Sequence, residues 1–355
     1  MSISKIIFSF TIMLAFGLIQ HTVKSHVPEP VVFSELARLE VNGVLVTADW
    51  SPGGDKLVIG GENGLYVYTK DFELIQHLQI TENQPFVIDA AWNSDGQILA
   101  SIHIDGRAYL WEIENGEVVA EWKPHTTMPT HISWYYGGSH ISTSSWDGTV
   151  KIYDATSLQQ TNVLVDNELG PIDAISWFPQ NQNLTFKTLV GPEIVVWDDL
   201  TDQAIFDRAS NNSDRLPSAN PNKSLMATGG IVYPDGDFPI QAMVHIWETE
   251  PTIRPIKTIP LETYDVIDFY VFSWQPNGNL LAAYNSDQQI RIWDIDTGFL
   301  IAQLPGGKRI RPDEIPSYSS LAWRCDGQQL IDVGSDGVAV VWEIESPEVE
   351  QTGCQ

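Results

Sequence analysis

Six tryptophans in this chain each head the same short turn: Trp50-Ser-Pro-Gly-Gly, Trp92-Asn-Ser-Asp-Gly, Trp134-Tyr-Tyr-Gly-Gly, Trp177-Phe-Pro-Gln-Asn, Trp274-Gln-Pro-Asn-Gly and Trp323-Arg-Cys-Asp-Gly. A seventh copy, Ala219-Asn-Pro-Asn-Lys, keeps the turn without the Trp. Successive copies lie 42, 42, 43, 42, 55 and 49 residues apart. A period of this length means one supersecondary unit repeated until neighbours bury a shared core, and it constrains the architecture more than any composition does.

The unit reads as strands throughout. In the second repeat the apolar, alternating runs are Val87–Trp92, 98–102, 108–111 and 118–122, each bounded by turn residues. Period-two alternation between Gly, Asn and Asp turns is the strand-and-hairpin signal. Four short strands per unit make one propeller blade. Seven units are present, but the last ends near Glu343 with only three strands. The run 31–39 supplies the missing one, which removes the exposed edge that an open sheet would carry. The expected fold is therefore all-β, a seven-bladed β-propeller over residues 26–345 with an N-terminal strand closing the last blade.

A second aromatic marks the third strand of each unit: Tyr68, Trp111, Tyr153, Trp197, Trp247, Trp293 and Trp342. An acid follows it in Trp197-Asp198, Trp293-Asp294, Trp247-Glu248, Trp342-Glu343 and Tyr153-Asp154. With Ser144-Ser-Trp-Asp-Gly-Thr-Val-Lys-Ile-Tyr-Asp154, these residues give a chain that resembles the WD40-repeat family over residues 31–345. The resemblance implies a buried hydrogen-bond chain in each blade, running from a His through a Ser or Thr and a turn Asp to the third-strand aromatic. Repeat three keeps most of it, with His125, Ser144 or Ser145, and Asp147. The matching turn acids elsewhere are Asp105, Asp287 and Asp336, with Glu62 in repeat one and Gly191 and Gln241 in repeats four and five.

Composition bounds the partners. The chain carries 46 acidic against 19 basic side chains, a net charge of -27. Such a surface repels nucleic-acid phosphates and anionic lipid, and it keeps a β-rich protein soluble. Lys5 followed by the apolar run 6–19 and Val23-Lys24-Ser25 reads as a signal peptide over residues 1–25, cleaved after Ser25. The apolar run is short against the roughly 20 residues of a membrane span, although an uncleaved anchor is the alternative. The mature chain is then expected outside the cytoplasm, in a periplasmic or extracellular space, free of the membrane and monomeric, with a flexible tail over residues 346–355. Cys325 and Cys354 read either as a disulfide clipping that tail to the last repeat or as two free thiols.

No catalytic constellation stands out. The eight His are scattered, with no His-Glu-x-x-His, Cys/His cluster or Gly-x-Ser-x-Gly elbow. His103 and His140 read as packing or surface residues, and no metal or cofactor is expected. Binding is the stronger expectation, and the resemblance implies where. Family members commonly contact partners on the top face, at two places: six residues before the first-strand Trp, and just before the turn acid. Those places here are Val44, Phe86, Met128, Pro171, Ser213, Asp268 and Ser317, and then Gly61, Ile104, Trp146, Val190, Ile240, Ser286 and Ser335. Phe86, Ile104, Met128, Trp146, Pro171 and Val190 would form an apolar patch suited to a protein or peptide. Two insertions, 229–240 and 305–316, would rise on the same face. The second carries Lys308, Arg309 and Arg311, which would hold an acidic group of the partner or offset nearby acids. The competing expectation is an exported hydrolase or carbohydrate-binding propeller using carboxylates near the central channel. A third is a structural envelope module that retains residues 1–25. The sequons at Asn183 and Asn222 matter only in a glycosylating host.

Overall fold

A computed structural model describes residues 31–80, 84–165, 170–178, 183–188, 193–198, 203–209, 215–232, 241–261, 269–276, 278–308, 320–345 and 354. The expected leader, most of the tail, and the candidates Val190, Arg309 and Arg311 lie outside the described residues. Among the described residues all regular structure is strand, arranged in seven four-stranded antiparallel sheets. Blades 1 to 6 span residues 45–78, 87–122, 129–165, 172–209, 215–260 and 269–305 in meander order. Blade 7 is composite, with Leu321–Trp323, Gln329–Val333 and Val338–Glu345 joined by the N-terminal strand Val32–Glu40. The seven-bladed propeller and its closure thus match the repeat count.

Local chemistry explains each element. The first-strand Trp, or Ala219 in blade 5, ends its strand, and the third-strand aromatic pairs with the second strand in every blade, as in Leu99↔Trp111 and Leu330↔Trp342. The turn acids cap the hairpin between the second and third strands. Asp105, Asp147, Asp287 and Asp336 each accept the amide two residues on, at 3.0, 3.0, 3.3 and 3.4 Å. That local bond is the Asx-turn preference of Asp. Gly106, Gly148 and Gly337 follow three of these acids with φ of 82°, 79° and 81°, a backbone state that disfavours a Cβ. In blade 6, Gln288 occupies the same left-handed place.

First strands contact one another around the ring, with Leu45–Trp50 meeting Leu321–Trp323 at the closure. Several seams are tied by the first-strand indole. Trp92 Nε1 donates to Asp49 O at 3.2 Å, Trp134 Nε1 to Ala91 O at 3.0 Å and Trp274 Nε1 to Ser218 O at 2.9 Å. Trp177 Nε1 donates instead to Ser142 Oγ, at 2.8 Å. Both seams of blade 7 differ, because the indole nitrogens of Trp323 and Trp50 are buried without a hydrogen-bond partner among the described residues.

The polar networks correct one expectation and refine another. In blade 3, His125 contacts Asp147 Oδ2 through Nδ1 and Thr143 Oγ1 through Nε2, both at 2.9 Å. The hydroxyl partner is Thr143: alternation turns Ser144 to the other face, towards Thr130 Oγ1, and Ser145, on the same face but further along the strand, donates to Met128 O. Burial holds His125 below its ordinary pKa. Burial pushes Asp147 up, but hydrogen bonds from Thr149 and His125 outweigh it and hold the carboxyl below the usual range.

Blade 2 builds a different chain in which His103, one of the residues expected to pack or lie on the surface, is buried and central. Trp111 Nε1 donates to Ser101 Oγ at 2.9 Å, which lies 2.9 Å from His103 Nε2. His103 Nδ1 lies 3.2 Å from Pro85 O, so it donates there, and Nε2 is left to accept the Ser101 hydroxyl. The histidine comes from the second strand itself rather than from the loop before the first. Ser101→Ala would orphan a buried indole N–H and a buried imidazole nitrogen, destabilising the fold by about 2–3 kcal/mol. A urea midpoint equal to wild type would show that the chain contributes nothing.

Candidate functional site

The apolar candidates are set by one repeated backbone geometry at the end where second strands turn into third strands. Ile104 N donates to Phe86 O and Trp146 N to Met128 O, each at 2.9 Å. Each hairpin tip is therefore locked to the segment entering its own first strand. Phe86 and Met128 are half-buried against one core of blades 2 and 3, which contains Ile88, Ile102, Leu110, Ile132 and Ile141. Packing on that core satisfies most of their apolar surface. Ile104 and Trp146 are the protruding members, 45% and 41% exposed. Most large apolar residues outside the core sit instead on or beside outer strands, so two at neighbouring hairpin tips stand apart.

The register shifts by one residue in blade 1. Its hairpin pairs Gly61 with Gly64 around Glu62 and Asn63, and Glu62 N donates to Val44 O at 2.9 Å. Glu62, not Gly61, therefore matches Ile104 and Trp146. A carboxylate thus bounds the apolar patch on the blade 1 side. Pro171 is half-buried at the entry to blade 4. Sequence reasoning missed Lys123, an exposed cation that enters no ion pair among the described residues. A Cβ placed on Gly106 would lie 3.5 Å from its Cε, which puts the lysine beside the Ile104 hairpin. Its position four residues before the loop residue Thr127 offered no motif to flag it.

The insertions are only partly loops. Gly229 to Val232 extend the second strand of blade 5 and pair with Val244 to Gln241, and residues 233–240 lie outside the described set. The root of the other insertion is pinned to two blades. Gly306 N donates to Gln288 O at 2.9 Å and Tyr284 OH to Gly307 O at 2.6 Å. Gly307 N donates to Asp332 Oδ2 at 2.5 Å and Ser335 Oγ to Lys308 O at 3.1 Å. Lys308 is exposed at the end of this root.

One first-strand carboxylate has a structural occupation. Asp89 on the first strand of blade 2 accepts Thr47 Oγ1 from blade 1 at 3.0 Å and Ile132 N from blade 3 at 3.1 Å. Burial raises its pKa, with the charge of His131 opposing. Asp49 is pushed up to about 7, chiefly by burial, with Asp89 adding repulsion. Bonds to both neighbouring blades make Asp89 a strut between them. A cleft of about 530 Å³ opens between blades 1 and 2, lined by Lys56, Ile75, Gln97, Glu112 and Glu114 among others. Among the described residues no three His, Cys, Asp or Glu side chains converge as metal ligands. Of the two sequons, Asn183 is buried on a strand, whereas Asn222 lies exposed in a turn.

Known proteins place the repeats in context. Residues 48–137 match the family model described as the anaphase-promoting complex subunit 4 WD40 domain, and residues 256–294 match the WD domain, G-beta repeat. A WD repeat-containing protein 91 homolog of Dictyostelium discoideum is 28% identical over 68% of this chain and 29% of its own length. The cell division cycle 20.1 protein of Arabidopsis thaliana, a cofactor of the APC complex, is 23% identical over 45% of this chain and 32% of its own. A guanine nucleotide-binding protein subunit beta of Oryza sativa subsp. japonica is 20% identical over 73% of this chain and 68% of its own. The chain spans about a third or less of the length of the first two relatives.

Proposed function

Because the chain belongs to the WD40-repeat β-propeller family, we propose that it is a non-enzymatic scaffold, exported and freed of residues 1–25, that holds a protein or peptide partner on the top of blades 2 and 3. The observation that carries this reading is the pair Ile104 and Trp146, exposed on neighbouring hairpins that the same hydrogen bond locks in place. A rigid, partly exposed Trp beside an aliphatic residue is the usual anchor of a binding hot spot. Phe86 and Met128 flank the anchor and support it from below, and Pro171 and Val190 would extend the surface towards blade 4. Lys123 beside the patch, and Lys308, Arg309 and Arg311 on the far insertion, would pair with acidic groups of the partner. The names of relatives, a cofactor of one complex and a subunit of another, fit a protein-binding role. A disulfide in blade 7, between Cys325 and Cys354, suits an oxidising compartment.

The mature chain, used as bait in its native extracellular fraction, should retain a partner that Trp146→Ala and Ile104→Ser lose. Each substitution should weaken binding on the order of thirtyfold, matching a hot-spot loss of about 2 kcal/mol. Melting temperatures should stay at the wild-type value, because neither side chain is in the core. Retention of the same partner by both variants would sink the proposal. Turnover of a glycan or ester substrate, abolished by Asp49→Asn, would favour the hydrolase reading instead.

A further inference from the structure

The seam where the ring closes is built unlike its neighbours. Blade 7 is completed by a strand from the other end of the chain, and among the described residues the first-strand indoles on both its seams lack the partner that ties other blades. Towards blade 6 the link is Gln275 Nε2 donating to Gly327 O at 2.8 Å. Towards blade 1, Ser320 Oγ donates to Ala48 O at 2.9 Å, and the Arg324 guanidinium lies 5.6 Å from the centre of the Trp50 ring.

The covalent bond between Cys325 and Cys354 falls at this seam. Cys325 sits in the turn after the first strand of blade 7, and Cys354 lies beyond the third strand, with Cα atoms 5.2 Å apart. The bridge closes a loop containing both Gln329–Val333 and Val338–Glu345, the strand on which the N-terminal strand pairs. It also reaches across to blade 1. Gly54, in the turn after the first strand of blade 1, has φ of 65° and no side chain. A Cβ there would lie 2.7 Å from either sulfur. The bare backbone is thus what lets the bridge seat against the neighbouring blade. Both cysteines are half-buried, leaving the bond within reach of a small thiol.

We propose that the Cys325–Cys354 disulfide is a redox latch on ring closure, and that its reduction loosens blade 7 and the seam with blade 1 while the other blades stay closed. A dithiol is the reductant. One thiolate attacks a sulfur of the bridge and displaces the other as a thiolate. The second thiol of the reagent then attacks the mixed disulfide, leaving two protein thiols and a cyclic disulfide. Two electrons pass from reagent to protein. Without the bridge, the loop it closed regains its chain freedom whenever blade 7 opens locally.

Hydrogen exchange on the full oxidised chain, with and without dithiothreitol, reads this directly. After reduction, amides in Val32–Glu40, Leu45–Trp50 and Val338–Glu345 should exchange on the order of a hundredfold faster, while Val87–Trp92 and Thr149–Asp154 keep their rates. Cys354→Ser should show the fast pattern without reductant and no further change with it. Unchanged exchange on reduction would overturn the latch, as would equal acceleration in every blade. Free thiols in the oxidised, purified chain would overturn it too.

Discussion

Deleting residues 32–40 is expected to destabilise the propeller by on the order of 5 kcal/mol or more, comparable to the whole stability of an ordinary domain. The strand pairs with Val338–Glu345 from Val32↔Glu345 to Glu40↔Val338. Phe33 packs against Trp323 with ring centres 6.2 Å apart, and Ala37 and Leu39 add to the core shared by blades 7 and 1. Loss of the strand removes that packing and leaves Val338–Glu345 as a long, apolar edge, so the variant should also self-associate. Removing residues 346–355 takes away the disulfide, a loss of roughly 3–4 kcal/mol for a loop of this length. In dithiothreitol that loss should vanish, while the strand deletion keeps its full effect. Urea titrations of both truncations in either redox state make the comparison. Equal midpoints under reducing conditions would mean that the N-terminal strand does not close the ring.

The second large effect is a dependence of stability on pH governed by Asp332. This residue takes the second-strand place that Ser101 holds in blade 2 and Thr143 in blade 3, and it is 1% exposed. One carboxylate oxygen accepts Gly307 N–H, and the other is buried with no side-chain or close backbone hydrogen bond among the described residues. Burial, with repulsion from Asp336, raises its pKa from 3.8 to about 7. A raised folded pKa means that its stabilising contribution is intact below pH 3.8 and is lost as pH climbs through about 7. Asn cannot ionise but can still accept the Gly307 amide. Asp332→Asn should therefore gain on wild type by roughly 3 kcal/mol between pH 4.5 and pH 8. His103, held down to about 4 by burial, has the opposite sign and weakens the fold as pH falls from 6.5 towards that value. It is present in both proteins, so it cancels in the comparison. Asp49 trends with Asp332 but retains some exposure, and water screens its effect. A stability gap that does not change with pH would exclude Asp332 as the titrating group.

Much of the fold was legible because its determinants are local. Asp105, Asp147, Asp287 and Asp336 cap their turns within two residues, and Trp111 or Trp342 sits at a set distance beyond. What escaped depends on exact loop length or on another blade. One residue fewer in the blade 1 hairpin moved Glu62 into the place expected for Gly61. The choice of Thr143 followed from strand phase, which excludes Ser144, and from distance along the strand, which takes Ser145 to Met128 O, against a histidine 18 residues away. The binding candidates were legible by position, yet position could not separate Phe86 and Met128, which lean on the core, from Ile104 and Trp146, which protrude.

By itself, then, the sequence determined the number of blades, the strands within them and the turns between, since a 42-residue period and Asp-Gly hairpins act over short spans. Only the tertiary structure decided how the blades hold together. Trp92 finds Asp49 O and Trp134 finds Ala91 O each 43 residues back. The bridge from Cys325 to Cys354 rests on Gly54, more than 270 residues before either cysteine. Such contacts join residues that are neighbours only once the ring has curved back on itself, so no local pattern could announce them.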